Sequence, residues 1–180
     1  MQNKSVEEKI EDYIKNKLTD LGLKYYTKTE MINADIEKAL KLFPSKTGGD
    51  GGNRPDIKLL IDDIPVMIEV KGRFEDLIKR NIGLNGLELD MSSTAITKYA
   101  CNGSIHYAHA ILTYTNYDKV IAIGAAGNTV YNGQVNDRTS IWSYLVTREQ
   151  VILLKDVSNK NDLSYLTNLK EVIKNVKKET

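Results

Sequence analysis

Two apolar runs stand on either side of Asp62-Asp63: Ile57-Lys58-Leu59-Leu60-Ile61 and Ile64-Pro65-Val66-Met67-Ile68-Glu69-Val70. Both are of strand length, rich in β-branched residues and bounded by turn formers, which is the pattern of a β-hairpin. A two-residue loop at Asp62-Asp63 sets the register, with Ile57 facing Ile68, Leu59 facing Val66 and Ile61 facing Ile64. Side chains alternate between the faces of a strand, so one face of this hairpin is apolar throughout. The other face carries Asp56 across from Glu69, and Lys71 follows two residues further along.

Around this hairpin the periodicity predicts helices. Ser5 with Glu8 reads as a capping box, and Val6, Ile10, Tyr13, Ile14, Leu18 and Leu21 recur at helical spacing until Gly22. Lys24-Tyr25-Tyr26 reads as a short extended piece. Met31 to Phe43 reads as a second helix that stops before Pro44. A loop from Ser45 to Asn53 follows, with glycines at 48, 49, 51 and 52. Its glycines permit close backbone approach to phosphate and free hinging. It lacks the lysine and following helix of a phosphate-binding P-loop, so nucleotide binding is excluded.

Beyond the hairpin, Gly72 to Asp90 is polar and glycine-punctuated. Ser92–Ala100 and Ser104–Tyr114 read as helical segments broken at Asn102-Gly103. Lys119 to Ala125 reads as a buried strand and Thr129–Tyr131 as a short one before an Asn132-Gly133 turn. Ser140–Val146 fits helix or strand, Gln150–Leu154 fits a strand, and Asp162–Val176 reads as a closing amphipathic helix. This order predicts an α/β (α+β) chain with a mixed central sheet flanked by helices.

Composition narrows the picture. At 180 residues the chain is expected to form a single domain, and 41% hydrophobic with 27% charged residues is usual for a globular protein. There is no apolar run long enough to span a bilayer, and the amphipathic, acidic start has no signal-peptide core, so a cytoplasmic location is expected. One cysteine, Cys101, excludes an internal disulfide and a cysteine-rich zinc site. Lys and Arg number 25 against 24 Asp and Glu, a net charge of +1. An independent duplex binder usually has a basic excess. DNA binding would therefore rely on local patches or on other parts of a longer chain.

The chemistry concentrates on Asp56, Glu69 and Lys71. Residues directly opposed in an antiparallel pair have Cβ atoms about 4.5–5.5 Å apart. Two carboxylates at that distance repel, and one stays protonated unless a cation compensates. Hard oxygen ligands suit Mg²⁺. The plainer alternative is an ordinary ion pair between Glu69 and Lys71. Glu7 and Glu11 flank the apolar stripe of the first helix, where either a solvated face or a share in the site fits. Arg73, Lys79 and Arg80 are candidate phosphate contacts, with generic surface charge the plainer reading of each, and Tyr99 and Tyr107 are weaker candidates for contact with DNA. His106 and His109 share a helical face but have no evident third ligand, which favours a packing or surface role.

Pro55-Asp56, twelve intervening residues, then Glu69-Val70-Lys71 resembles the signature of the PD-(D/E)xK nuclease superfamily. In particular it is similar to the amino-terminal nuclease domains of type I restriction (R) subunits and of fused restriction-modification enzymes. The resemblance implies a restriction-endonuclease-like sheet and a metal-dependent endonuclease acting on double-stranded DNA. It also implies Asp56, Glu69 and the carbonyl of Val70 as ligands of Mg²⁺ or Mn²⁺, and Lys71 as the catalytic lysine. Other domains or subunits of a restriction-modification enzyme are the implied partners, and the chain is expected to be a fragment of such an enzyme. The glutamine of the related Gln-x-x-x-Tyr motif is absent, since Ala95 stands four residues before Tyr99. A Holliday-junction resolvase shares the motif but usually has a basic surface. A catalytically silent DNA-binding relative and an interaction domain with a chance motif complete the alternatives.

Overall fold

The computed structural model describes residues 4–49, 52–84, 86–127, 129–130, 134–135, 139–154 and 161–178. Gly51, Tyr131, the Asn132-Gly133 turn and the terminal Glu179-Thr180 lie outside the described residues.

The chain opens with α1 (Val6–Asp20), whose start is fixed by the expected capping box between Ser5 and Glu8. Gly22 follows in the left-handed region, φ +74°, where glycine ends helices without strain. After β1 (Tyr26–Thr27) comes α2 (Ala34–Leu42). This helix starts three residues later than the periodicity suggests, because the Asn33 side chain caps it by accepting from the Ile36 N–H.

Strands β2 (Ile57–Ile61) and β3 (Ile64–Lys71) form the expected hairpin in the expected register. Its turn residues Asp62 and Asp63 have φ of +50° and +65°. Two positive φ angles give the twist that a right-handed strand pair requires of a two-residue loop.

A small second hairpin follows, β4 (Arg80–Gly83) with β5 (Gly86–Leu89), inside the stretch read from sequence only as polar. Helices α3 (Ser93–Lys98) and α4 (Ala100–Tyr114) are separated at Tyr99. The sequence reading put this break at Asn102-Gly103, but α4 runs straight through both residues. Buried Asn102 turns its side chain outward from the helix backbone to bond Lys79 and the Asp90 carbonyl, which ties α4 to the β4–β5 hairpin.

The remaining strands are β6 (Val120–Ala126), β7 (Thr129–Val130), β8 (Gln134–Val135), β9 (Ser140–Val146) and β10 (Val151–Leu153). A 3₁₀ turn at Ser164–Asn168 leads into α5 (Leu169–Lys178), so the closing helix is shorter than its hydrophobic stripe suggests.

Six strands form one mixed sheet in the order β1-β2-β3-β6-β9-β10, in which only β3 and β6 run parallel. One face packs Ile57, Leu59, Val66, Ile68 and Val70 against Ile10, Ile14 and Leu18 of α1 and against Leu169 and Ile173 of α5. The other packs Met67, Ala122 and Tyr144 against Leu40 of α2 and Ile105 and Ile111 of α4. This is the expected mixed sheet flanked by helices. Among the described residues no helix is long and apolar enough to cross a membrane.

Candidate active site

The site lies where β2 begins and β3 ends. The backbone ladder between these strands starts at Ile57 opposite Ile68, so Asp56 sits one position before it. There its side chain takes the part of a backbone acceptor: Oδ2 receives the Val70 N–H at 2.8 Å. Val70 itself points into the core on the α1 face. Glu69 and Lys71 lie on the opposite face, which looks toward α4. Asp56 and Glu69 are both buried, at 5% and 4% exposure.

Buried carboxylates need partners, since an unpaired charge away from water costs several kcal/mol. Three groups serve Glu69 and Asp56. The Tyr107 hydroxyl donates to Glu69 Oε2 at 3.0 Å, and the Lys46 ammonium pairs with the same oxygen. Lys28, just after β1, reaches Asp56 Oδ1 at 3.2 Å. Lys71, which the sequence offered as a simple partner for Glu69, is half-buried and forms none of the ion pairs found among the described residues.

The electrostatics follow from this enclosure. Burial pushes the Glu69 carboxyl up to about 7, and the charge of Asp56 and a hydrogen bond between the two acids add to the rise. Lys46 opposes it. Burial first, and then Glu69, push the Tyr107 phenol far above its ordinary range, so it remains a hydrogen-bond donor. Glu7 and Glu11 on α1 are also raised, by partial desolvation first and then by the charge of Asp56. Glu7 feels Lys71 as well, whereas Glu11 pairs with Lys15 at 3.4 Å. Both first-helix acids thus stand on the Asp56 side of the site.

Close packing sets these distances. Gly124 of β6 is the cross-strand neighbour of Glu69. A Cβ there would come within 2.4 Å of the Cys101 backbone nitrogen, so only glycine admits the first turn of α4 to the sheet. Tyr107 stands on that same helix. At the other end of the loop, buried Asn53 donates to the carbonyls of Leu40, Phe43 and Pro44. His106 holds the Pro44 carbonyl at 2.9 Å and packs its ring on Phe43, so of the two roles expected for it the structure gives packing. These contacts anchor both ends of the segment that carries Lys46.

Several sequence candidates take other positions. Tyr107 is 3% exposed, so it holds Glu69 and is not a surface contact for DNA. Tyr99 is half-buried at the α3–α4 junction, with the Lys98 ammonium over its ring. Arg73 pairs with Glu75, and Arg80 lies over the Trp142 ring. Cys101 is buried, which raises its thiol and leaves it a packing residue. Sequence reasoning missed Lys46 and Lys28, since neither belongs to a motif. Helical spacing did offer a trace of the arrangement: Gly103 and Tyr107 lie one turn apart on the face of α4 that meets Glu69.

The chain is similar to a restriction enzyme. Over 149 residues it is 28% identical to the type II restriction enzyme and methyltransferase RM.BcgI of Heyndrickxia coagulans. The match covers 82% of this chain and 22% of that protein, so the chain spans about a fifth of its curated relative. No family model and no solved structure matches it. The similarity points to a relationship with restriction systems. Among the described residues no group of three or more His, Cys, Asp or Glu side chains gathers as a ligand set. Two acids are the core of the site.

Proposed function

We propose that this chain is a metal-dependent DNA endonuclease domain of the PD-(D/E)xK type that works within a restriction-modification enzyme. The observation that carries this reading is the pair of buried carboxylates, Asp56 and Glu69, brought together at the end of a hairpin with Glu69 raised to about 7. Such a pair is an incomplete cation site: its donors are hard oxygens and its charge is double. The donor set fits Mg²⁺, which usually keeps several waters and takes only one or two carboxylates from the protein. Asp56 and Glu69 would hold the ion, with the Val70 carbonyl as a further oxygen. Glu7, on the Asp56 side, is the best-placed additional acid.

When bound, a divalent cation supplies Lewis-acid chemistry, activating water and offsetting charge on the phosphate. The remaining roles belong to side chains. The Val70 N–H fixes the rotamer of Asp56, and Tyr107 fixes that of Glu69. Lys71, two residues beyond Glu69 on the same face, would orient the attacking water or stabilise the charge developing on the phosphate. The similarity to RM.BcgI supports DNA as substrate and further domains of a longer enzyme as partners. With a net charge of only +1, such domains would supply much of the grip on DNA.

The test is cleavage of supercoiled plasmid with Mg²⁺ by wild type and by Lys71→Ala, with circular dichroism to check folding. Nicking or linearisation by wild type and its loss, by about a hundredfold or more, in the variant is the expected result. A folded Lys71→Ala protein that cuts as fast as wild type would overturn the assignment.

A further inference from the structure

Two lysines from separate segments meet the two carboxylates, Lys28 on Asp56 and Lys46 on Glu69. Together they bring the two positive charges that a single divalent cation would bring. Lys46 is the more deeply held, with its side chain 16% exposed. It lies in a slot on α4. Its ammonium is 4.6 Å from the centroid of the Tyr107 ring, and a Cβ at Gly103 would come within 2.9 Å of it. Its backbone carbonyl accepts from Ser93 Oγ at 2.5 Å. The backbone is therefore anchored, while the charged end sits on a flexible four-carbon stem. The residues that follow, Thr47, Gly48 and Gly49, are exposed, and Gly48 holds a φ of +87° that favours glycine.

With both lysines in place the two carboxylates, when ionised, are already balanced in charge. A divalent cation entering it would leave two surplus positive charges in a site nine-tenths buried, beside Lys71 as a third. Like charges so enclosed repel strongly. The Lys28 side chain is 53% exposed, so water screens its charge and it can stay. The enclosed Lys46 ammonium competes with the ion for Glu69 Oε2 and has to swing out toward solvent, where a polyanion offers it a new partner. We propose that Lys46 is an exchangeable counter-cation: a divalent ion bound between Asp56 and Glu69 displaces its ammonium, which then binds a DNA phosphate. This rests on the nuclease reading above and adds to it a positioning residue and a coupling. Because linkage is reciprocal, the ion tightens DNA binding and DNA tightens binding of the ion.

Amine footprinting of the wild-type protein tests this, using an acetylating reagent and peptide mass spectrometry. Exposed Lys38 and Lys41 on α2 serve as references. Without added metal Lys46 should label slowly. Mg²⁺ should raise its labelling about fivefold or more relative to the references, and added duplex DNA should lower it again. Calorimetry with Mn²⁺ gives the second readout, in which Lys46→Gln should bind the ion about tenfold tighter than wild type, because no resident ion pair has to be broken. If wild type binds Mn²⁺ but Lys46 labelling does not respond to metal, the exchange is overturned and the nuclease reading stands. If Mg²⁺ raises labelling and DNA gives no protection, the phosphate contact is overturned. If calorimetry detects no ion at all, both readings fall together.

Discussion

The β2–β3 hairpin carries a pair of acids at each end, and the two pairs have opposite fates. Asp62 and Asp63 form the turn, exposed and in left-handed backbone geometry. Asp56 and Glu69 sit at the open end, where β3 continues beside β6 and α4 covers the face. All four are carboxylates on one hairpin. What differs is enclosure: at the turn water solvates the charge, while at the open end only the protein's own groups do. The comparison teaches that a carboxylate becomes a chemical site through what excludes water from it.

The contrast predicts that the two ends respond differently to removal of charge. Asp56→Ala should lower Mg²⁺-dependent cleavage by about a thousandfold, while Asp62→Ala and Asp63→Ala should cut within about twofold of wild type. Plasmid assays on folded variants decide it, and a turn variant as inactive as Asp56→Ala would erase the distinction.

The next effect is on stability against pH in the metal-free protein. The folded-state value of Glu69, about 7, lies above the ordinary 4.5 of a free glutamate. A raised folded value means that the contribution is fully present below about pH 4.5 and is lost as pH rises through 7. The loss amounts to roughly 3 kcal/mol for this fully buried group. Thermal melts in chelator from pH 4.5 to 8 should show this decline in wild type and a flatter profile for Glu69→Gln. Parallel profiles would show that Glu69 titrates at its ordinary value.

The smallest effect lies at the turn. Asp63 holds a φ of +65°, which costs an L-residue strain that glycine escapes. Asp63→Gly should therefore raise stability by about 0.5–1 kcal/mol in denaturant titration, with cleavage unchanged. A destabilised Asp63→Gly protein would mean that the Asp63 side chain itself supports the turn.

Much of this was legible without coordinates, and the reasons are local. The hairpin register followed from a period-two pattern that buries one face and from a loop too short to slip. The capping box of α1 needed only Ser5 and Glu8 three residues apart. The β4–β5 hairpin was not legible, because its strands carry exposed Ile82 and Leu87 beside Arg80 and Glu88 and show no buried face. The junction of α3 and α4 was misplaced because Asn102-Gly103 looks like a breaker in one dimension. In three dimensions Asn102 bonds the second hairpin, and Gly103 makes room for Lys46.

The sequence by itself determined the pairing of β2 with β3, the mixed α+β order and the fact that Asp56, Glu69 and Lys71 share one end of a hairpin. Periodicity and turn chemistry act over a few residues, so they are written in the order of the residues. Only the tertiary structure decided which cations face the acids. Lys28 and Lys46 stand 28 and 23 residues from Asp56 and Glu69 in the chain. Lys28 arrives just after β1 as that strand pairs with β2, and Lys46 on a segment that Asn53 and His106 hold beside α4. No local pattern encodes a contact between segments that meet only when the core closes.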